Sequence, residues 1–446
     1  MYRQDKKEGK GIMSKKTKST ISSYPIKASM CVMGTGQIMQ KQWIKGMIYL
    51  SCFIAYILYM VFVGVTDIKG FFTLGTVKSD AWLGIKGDDS IMMMLKGILA
   101  FIITAFFIGL HKSNINDIRS SYKKLENGEK LPKFTKSLAI FMDKKFYIIA
   151  LALPVVGVLV FNVLPIIFMI LISFTNYGGD VVPPELVDWI GFGNFAKILS
   201  LSDIKYTFLK ILGWNFVWAL LSTFINYFGG LGLALLLNKK CVKGKAFWRA
   251  FPILAYAVPG FITLLGFKFM FSYGGPINQY ITMSGGTAIG FLDIDAGITA
   301  KIIGLLVNAW ISIPTSMLLA TGILSNMNND LYDAASIDGA SKWKQFSKIT
   351  LPFVIFSTTP VLITSFVGNF NNFGIFYFLR GGLYNEGYFL ASDTDLLINW
   401  LYNLSIDNNY YGIGAAISLV IFVITSIFSL LTYVRSNAYK KEDTYR

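Results

Sequence analysis

Two apolar runs of the sequence carry amide and hydroxyl side chains at helical spacing. Ser365, Asn369 and Asn372 stand at i, i+4 and i+7, which places them on one face of a helix. Asn308, Ser312 and Thr315 repeat this spacing in the preceding apolar run. Neutral donors and acceptors of this kind can bind the hydroxyl groups of a sugar without burying a charge. The two stripes therefore indicate a lining for a polar, uncharged ligand.

A third apolar run adds an aromatic ring, because Tyr256 stands shortly before Pro259 and Gly260. The alternative is that the amides and hydroxyls only join neighbouring helices by hydrogen bonds. A single amide would favour that alternative, whereas two stripes and a tyrosine together favour a lining. No carboxylate stands in the middle of these runs, although proton-coupled and sodium-coupled carriers usually place one there. The sequence therefore predicts that energy for moving a ligand enters elsewhere.

The elements that must position these side chains are membrane spans. The chain has 446 residues, of which 54% are hydrophobic and only 15% are charged, against about 25% charged in soluble domains. Runs of about 20 apolar residues can cross a bilayer. The sequence predicts an all-α, polytopic membrane protein with about eight transmembrane helices. The predicted spans are residues 46–65, 92–110, 146–172, 214–237, 250–271, 302–323, 351–372 and 412–434.

The basic residues fix an orientation for these spans. If the amino terminus is cytoplasmic, 31 of the 41 lysines and arginines fall in cytoplasmic segments and eight in external ones. Such an asymmetry is typical of membrane proteins, whose cytoplasmic loops are the basic ones. We therefore expect a multi-pass protein of the cell membrane with both termini in the cytoplasm. The net charge of +16 is explained by topology and anionic lipid, and nucleic acid is not an expected partner.

The sequence offers little for catalysis or metal binding. Cys31, Cys52 and Cys241 are scattered without metal-ligand spacing, and His111 is the single histidine. No nucleotide-binding loop, zinc-protease motif or nucleophile elbow is present. We therefore expect a chain that is not an enzyme and binds no cofactor or metal. If ATP drives it, another chain must hydrolyse the ATP.

The most polar stretch of the second half runs from Asn328 to Pro352 and lies between two predicted spans. Its pattern predicts a helix capped by Asn329 or Asp330, a turn at Gly339 and a second helix capped by Ser341. Pro352 should lie in the first turn of the next span. The charge pattern places this stretch in the cytoplasm. The residues that stand out in it are Asp333, Ala334, Ala335, Gly339 and the segment ITLP at 349–352.

This stretch resembles the EAA motif of permease subunits in binding-protein-dependent ABC importers. From residue 146 to 434 the chain is similar to the MalF-type sugar permeases of that family. The resemblance is carried by YAVPGFITLL (256–265), VNAW (307–310), DLYDAASIDGA (330–340), ITLP (349–352), SFVGNFNNF (365–373), TDLLINWLYNL (394–404) and YGIGAAIS (411–418).

The resemblance implies a fold, partners and sites. It implies an eight-span subunit that pairs with a second, MalG-like permease and two copies of a cytoplasmic ABC ATPase, and that receives sugar from an extracellular binding protein. Asp333, Ala334, Ala335 and Gly339 match the coupling helix that docks on the ATPase. The positions that match the sugar contacts of the family are Tyr256, Asn308, Ser312, Ser365, Asn369 and Asn372.

Several positions depart from the family pattern. Asp333 stands where glutamate is usual, Ser312 where glycine is usual, Thr315 where a tyrosine is usual and Gly368 at an aromatic contact. The large external domain that Gram-negative members carry between spans three and four is missing, so a Gram-positive form with a lipid-anchored binding protein is expected. The resemblance implies import of maltose or maltodextrin by alternating access. A permease for another oligosaccharide, such as a galacto-oligosaccharide, is the alternative, followed by a secondary carrier.

The predicted organisation has three parts. Residues 1–45 form a basic cytoplasmic tail with an interfacial or re-entrant helix, residues 46–200 an amino-terminal portion with three spans, and residues 201–446 a transport core with five spans. The coupling loop is expected at 326–350. The sequence leaves open whether translation starts at Met1 or Met13.

Overall fold

The computed structural model describes residues 24–80, 82–239 and 241–435, and these residues are mostly helical. The expected tail at 1–23 lies outside them. Within the described ranges the only β-type pairings are three isolated bridges. The helices are α1 (Tyr24–Cys31), α2 (Thr35–Met39), α3 (Trp43–Thr73), α4 (Ser90–Glu126), α5 (Phe134–Lys144), α6 (Phe146–Ile172), α7 (Gly193–Ser200), α8 (Ser202–Asn238), α9 (Lys245–Ala257), α10 (Gly260–Met270), α11 (Pro276–Met283), α12 (Gly297–Ser325), α13 (Asp330–Ile337), α14 (Lys342–Gln345), α15 (Leu351–Phe370), α16 (Gly374–Arg380), α17 (Leu397–Tyr402) and α18 (Tyr411–Arg435).

Seven stretches of the described chain are long and apolar enough to cross a membrane, and an eighth is possible if one bent helix pair counts as a span. The seven are α3, α4, α6, α8, α12, the run Lys342–Arg380 and α18. The first of these helices contains the π-helical turn Met60–Gly64, and α6 contains the π-helical turn Leu159–Val163. The all-α membrane fold predicted from the sequence is therefore confirmed.

The predicted span 250–271 is not one straight helix. It consists of α9 and α10, which meet at an angle of 90°. Val258 between them is extended, with φ −78° and ψ 130°, and Pro259 follows it. A proline disfavours helical geometry in the residue before it and donates no backbone hydrogen bond. The break therefore follows from the Val258–Pro259 pair.

Residues Met1–Met169 and Pro183–Asp188 form one compact unit. In its described part, residues 24–45 hold two short helices rather than the single helix expected. Gly34, with φ +86°, sits so close to Gly46 of α3 that a Cβ on either glycine would collide with the other backbone. Asn114 of α4 accepts from the Gly34 N–H and donates to the Ser29 carbonyl, at 3.3 Å each. The short helices are thus fixed against both α3 and α4.

Residues Ile170–Val182 and Trp189–Arg446 form the second compact unit. Its longest helix, α8, packs along α12 through Gly230, where a Cβ would collide with Ser316. Asn215 of α8 donates to the Phe370 carbonyl at 2.9 Å and accepts from the Leu397 N–H at 3.0 Å. Glycine thus permits the close approach of α8 to α12, and a buried amide joins α8 to the end of α15 and the start of α17.

A buried arginine holds the loops at one end of this second unit together. Arg380 is 2% exposed, and its guanidinium bonds Asp393 Oδ1 at 3.0 Å and Thr394 Oγ1 at 2.9 Å. It also donates to the backbone carbonyls of residues 292, 293 and 294. A guanidinium has five N–H donors in a planar fork, so a single arginine can bond both loops at once.

Candidate functional site

A cavity of about 300 Å³ lies between α8, α9, α12 and α15. Of the six side chains predicted to contact sugar, it brings together Tyr256, Ser312, Ser365 and Asn369. They come from three helices separated by about 50 residues each, so only the folded chain makes them neighbours. The volume is at the lower end of the range for small-molecule sites.

The cavity lining is polar but carries no charge. Its polar members are the hydroxyl residues Thr223, Tyr227, Tyr256, Ser312, Thr315, Ser316 and Ser365 and the amides Asn226 and Asn369. Apolar side chains from α12 and α15 complete it, and no Asp, Glu, Lys or Arg of the described residues lines it. Such a lining can exchange hydrogen bonds with hydroxyl groups and offers nothing to compensate a charged ligand.

Asn369 is held in place from α8. Its Nδ2 atom donates to the Thr223 Oγ1 atom at 3.0 Å, and its backbone carbonyl accepts from the Trp218 indole N–H at 3.1 Å. Trp218 is fully buried, so this bond fixes the backbone of the last turn of α15. The Oδ1 atom of Asn369 makes no hydrogen bond within the described residues and is left to accept one from a ligand.

Two of the six predicted residues lie outside this cavity. Asn372 is beyond the last residue of α15, Phe370, so the i, i+4, i+7 stripe ends before reaching it. Its Oδ1 atom instead accepts from the Ile375 N–H at 3.2 Å, at the start of α16. Asn308 is 3% exposed in α12, and its Nδ2 atom has no hydrogen-bond partner among the described residues.

Sequence reasoning missed the contribution of α8. Asn226 lines the cavity beside Tyr256 and Asn369, is 7% exposed, and its Oδ1 atom has no partner within the described chain. A buried acceptor without a donor is costly, which makes it a natural partner for a ligand hydroxyl. The sequence does contain a signal for this polar face of α8, because Ser222 and Asn226 stand at i, i+4 inside the apolar run 214–237.

Besides Ser312, two further departures from the family pattern lie at this cavity. Thr315 lines it directly, and so does Gly368. A Cβ at Gly368 would meet open space, so the small residues at both positions leave room in the cavity. The size of the ligand is therefore not restricted by large side chains at these two places.

The stretch from Asn328 to Pro352 forms the helix, turn and helix that the sequence predicts. Gly339 has φ +71°, a left-handed conformation, and Ser341 caps α14 by accepting from the Lys344 N–H at 3.3 Å. Asn329 occupies the N-cap position of α13, as predicted, but its side chain makes no capping hydrogen bond; the Asn328 side chain accepts from the Asp330 N–H at 2.9 Å instead. Pro352 lies in the first turn of α15 as predicted. The π-helical turn Phe346–Thr350 joins α14 to α15 without interruption.

This segment is anchored at its base and presents an open face. Tyr332 bonds Thr350 through their hydroxyls at 2.8 Å, and Gln345 donates to the Ser336 hydroxyl at 2.9 Å. Ile337 is 87% exposed and Trp343 is 74% exposed. Asp333, Ala334 and Gly339 are exposed, and Ala335 is half-buried. Exposed apolar side chains on a segment that is well fixed to its own chain are typical of a docking surface.

One acidic residue in the loops joined by Arg380 has a shifted pKa. Asp395 lies outside the membrane-spanning stretches and is 6% exposed. Burial raises the pKa of its carboxyl from 3.8 to about 6, against the opposing effects of hydrogen bonds from Ser392 and the charge of Arg380. Asn403 also donates to it at 3.2 Å. This carboxyl therefore titrates just below neutral pH.

Comparison with known proteins identifies the family. Residues 226–437 match the family described as "Binding-protein-dependent transport system inner membrane component". The chain is 32% identical over 432 residues to the maltodextrin transport system permease protein MalC of Streptococcus pneumoniae, covering 94% of this chain and 98% of that protein. It is 32% identical over 415 residues to the galactooligosaccharides transport system permease protein GanP of Bacillus subtilis, covering 92% and 96%.

A solved structure shares the fold. A bacterial ABC transporter involved in the import of the acidic polysaccharide alginate includes a chain that aligns with a TM-score of 0.54 at 20% identity, over 67% of this chain and 97% of that chain. The family resemblance stated from the sequence is confirmed by these comparisons, as is the expectation of a transport subunit. The chain belongs to the family of binding-protein-dependent transport system inner membrane components and is a membrane-spanning permease subunit.

Proposed function

We propose that this chain is one of two permease subunits of an ATP-driven importer and that it carries maltodextrin-type oligosaccharides across the cell membrane by alternating access. The observation that carries the proposal is the uncharged, hydroxyl-rich and amide-rich cavity between α8, α9, α12 and α15. An oligosaccharide is neutral and presents many hydroxyl groups, each of which needs a partner once it leaves water. A cavity with this lining meets that need without selecting for charge.

The proposed sugar contacts are the six residues that match the family pattern, with Asn226 added. Tyr256, Ser312, Ser365 and Asn369 contact sugar in the conformation described here. Asn308 and Asn372 join them in another conformation of the transport cycle, because alternating access changes which faces of the helices line the path. A ligand biases such a cycle only by binding one conformation more tightly than the other.

Maltodextrin is the preferred substrate because the MalF-type motifs run through the transport core and the relative from Streptococcus pneumoniae is named for maltodextrin transport. The second candidate is a galacto-oligosaccharide, which the equal identity to the relative named for galactooligosaccharides favours. Both substrates are neutral and rich in hydroxyl groups. They differ in the linkage and epimer of the sugar rings.

The proposed partners follow from the exposed coupling segment and the family. Asp333, Ala334, Ala335 and Gly339 dock into a cytoplasmic ATPase, of which two copies serve this chain and a MalG-like second permease. A lipid-anchored extracellular protein delivers the sugar, as suits a Gram-positive cell. Both termini lie in the cytoplasm, in agreement with the distribution of lysine and arginine.

The test is uptake in cells that lack this chain. Labelled maltodextrin should accumulate only when the gene is restored, and unlabelled maltodextrin should compete better than an equal concentration of a galacto-oligosaccharide. Purification of the restored chain should bring an ATPase and a second permease with it. Stronger competition by the galacto-oligosaccharide would select the second candidate, and uptake that persists without the ATPase would contradict an ATP-driven importer.

A further inference from the structure

The first compact unit contains a second large cavity, unrelated to the sugar site. It has a volume of about 720 Å³ and lies between the beginning of α3, the polar end of α4, and α5. A neighbouring cavity of about 480 Å³ shares Gln42, Lys45 and Phe134 with it. Both volumes fall within the range of small-molecule sites. Nothing in the proposed sugar pathway uses either cavity.

The charge of the larger cavity is strongly unbalanced. Five lysines and one aspartate line it. Lys45 is paired with that aspartate, Asp117, at 2.6 Å. The remaining four, Lys112, Lys124, Lys144 and Lys145, are exposed and form no ion pair within the described residues. Four ammonium groups around one cavity repel each other and attract an anion.

The cavity lies where the spans leave the hydrocarbon. The apolar part of α4 precedes Lys112, and α6 begins at Phe146, directly after Lys145. Trp43, Phe146 and Tyr147 are each about 60% exposed, and exposed aromatics at the ends of spans are typical of the membrane interface. Leu138 and Phe141 add apolar side chains to the lining. An occupant can therefore place a charged group among the lysines and an apolar tail in the bilayer.

We propose that this cavity binds the phosphodiester headgroup of an anionic phospholipid. The unpaired lysines hold the phosphate, as basic pockets between membrane helices do. Gln40, which lines the adjoining cavity, has a carboxamide whose Nε2 and Oε1 atoms are both buried and without a partner in the described chain. It supplies a donor and an acceptor for the hydroxyl groups of a glycerol headgroup. A zwitterionic lipid fits less well, because its ammonium group is repelled by the same lysines.

The experiment measures lipid retained by the purified full-length chain. The chain is exchanged into nanodiscs of phosphatidylcholine with increasing fractions of phosphatidylglycerol, and bound lipid is counted by native mass spectrometry after release into detergent. We expect retention of phosphatidylglycerol at least tenfold above phosphatidylcholine. Inorganic phosphate at millimolar concentration should not displace the lipid, because the acyl chains contribute to binding. Equal retention of the two lipids, or displacement by phosphate alone, would overturn the proposal.

Matched variants separate the cavity from general surface charge. The triple variant K124Q/K144Q/K145Q removes three lysines of the cavity and should lower retention roughly tenfold or more, since each lysine near the surface contributes several-fold to anionic lipid binding. The control K123Q/K130Q/K136Q removes three exposed lysines of the same region that line neither cavity and should change retention less than twofold. Equal losses in both variants would overturn the proposal.

A third variant guards against misfolding. K124R/K144R/K145R keeps the positive charges and should retain phosphatidylglycerol within about twofold of the natural chain. If the glutamine variant does not purify as a folded protein, the lipid preference of the natural chain decides the question alone. The test does not depend on which sugar is transported, so its failure leaves the proposed transport function untouched.

Discussion

The Nδ2 atom of Asn369 at the end of α15 lies 3.0 Å from the hydroxyl of Thr223 in the middle of α8. This bond holds the amide in place, and the amide oxygen makes no hydrogen bond within the described residues. Because Trp218 of α8 also holds the Asn369 carbonyl, the last turn of α15 is fixed at two points. The proposed sugar site thus rests on α8, a helix that the sequence pattern alone did not assign to it.

Asn226→Leu should impair uptake without destabilising the protein. The Oδ1 atom of Asn226 has no partner to lose, so removing it relieves an unsatisfied acceptor. If a sugar hydroxyl bonds this atom, the KM for uptake should rise roughly threefold to tenfold. Uptake kinetics test the expected rise in KM, and the melting temperature of the purified chain tests the expected lack of destabilisation. Unchanged kinetics would exclude Asn226 from the sugar site.

Asn215→Leu, on the same helix, should have the opposite effect. Asn215 is fully buried and bonds the Phe370 carbonyl and the Leu397 N–H. Leaving these backbone groups buried without partners costs about 1–3 kcal/mol each. The melting temperature and the yield of folded chain should therefore fall. A variant as stable as the natural chain would show that the joint between α8 and α15 does not depend on this amide.

Arg380→Met should be among the most damaging single substitutions in the loops of the second unit. It takes the guanidinium away from Asp393, which keeps only the 3.9 Å contact with Lys301, and from the three backbone carbonyls to which it donates. Removing one member of a buried ion pair typically costs about 3–5 kcal/mol. Lys205→Met is the control, because Lys205 is exposed and pairs with no carboxylate in the described chain. Comparable melting temperatures for the two variants would contradict this account of Arg380.

The stability of the protein should depend on pH through Asp395. The pKa of this carboxyl in the folded chain, about 6, lies above its ordinary value of 3.8, which applies to the unfolded chain. The folded chain therefore binds the proton more tightly, and this stabilisation is full below about pH 4 and is lost as the pH rises through 6. Between pH 7 and pH 5 the melting temperature of the natural chain should rise relative to that of Asp395→Asn. A difference in melting temperature between the two chains that stays constant over this pH range would show that the pKa of the Asp395 carboxyl is not raised.

Gly339→Leu should abolish uptake while the chain still inserts in the membrane. The φ of +71° disfavours any residue with a Cβ, by roughly 1–2 kcal/mol, so the turn between α13 and α14 should open. Gly339→Asn is the matched control, because asparagine tolerates the left-handed conformation. It should retain most of the uptake and the bound ATPase. If the leucine variant also retains both, this segment does not dock the ATPase.

The spans and the helix, turn and helix from Asn328 to Pro352 could be predicted because their signals are local. Long apolar runs, the glycine at 339, the cap at Ser341 and Pro352 each act on the backbone next to them. Apolar length sets the bounds of the fifth span, 250–271, but does not report its bend, which Pro259 causes. The capping hydrogen bond of α13 was expected from the side chain of Asn329 or Asp330, whereas the neighbouring Asn328 side chain accepts it from the Asp330 N–H.

The candidate site was predictable only in part, for a different reason. Periodicity identified Ser312, Ser365 and Asn369 as one-sided stripes, but it does not say where a helix ends. Since α15 ends at Phe370, Asn372 falls outside the cavity. The role of Asn226 depends on which face of α8 remains uncovered after α12 and α15 pack against it. The spacing of Ser222 and Asn226 marks a polar face in the sequence, but tertiary contacts such as the close approach at Gly230 decide which face lines the cavity.

The most direct test of the proposed transport function compares two asparagines that are two residues apart. Asn369 lines the cavity, whereas Asn371 is exposed, bonds its own helix at the Val367 carbonyl and does not line it. Uptake of labelled maltodextrin is measured in cells lacking the natural chain and carrying Asn369→Ala or Asn371→Ala at equal complex yield. We expect Asn369→Ala to lower uptake roughly fivefold to tenfold, by the loss of a sugar hydrogen bond, and Asn371→Ala to leave it unchanged. Normal uptake by Asn369→Ala in a stable complex would contradict the assignment of this cavity as the sugar site.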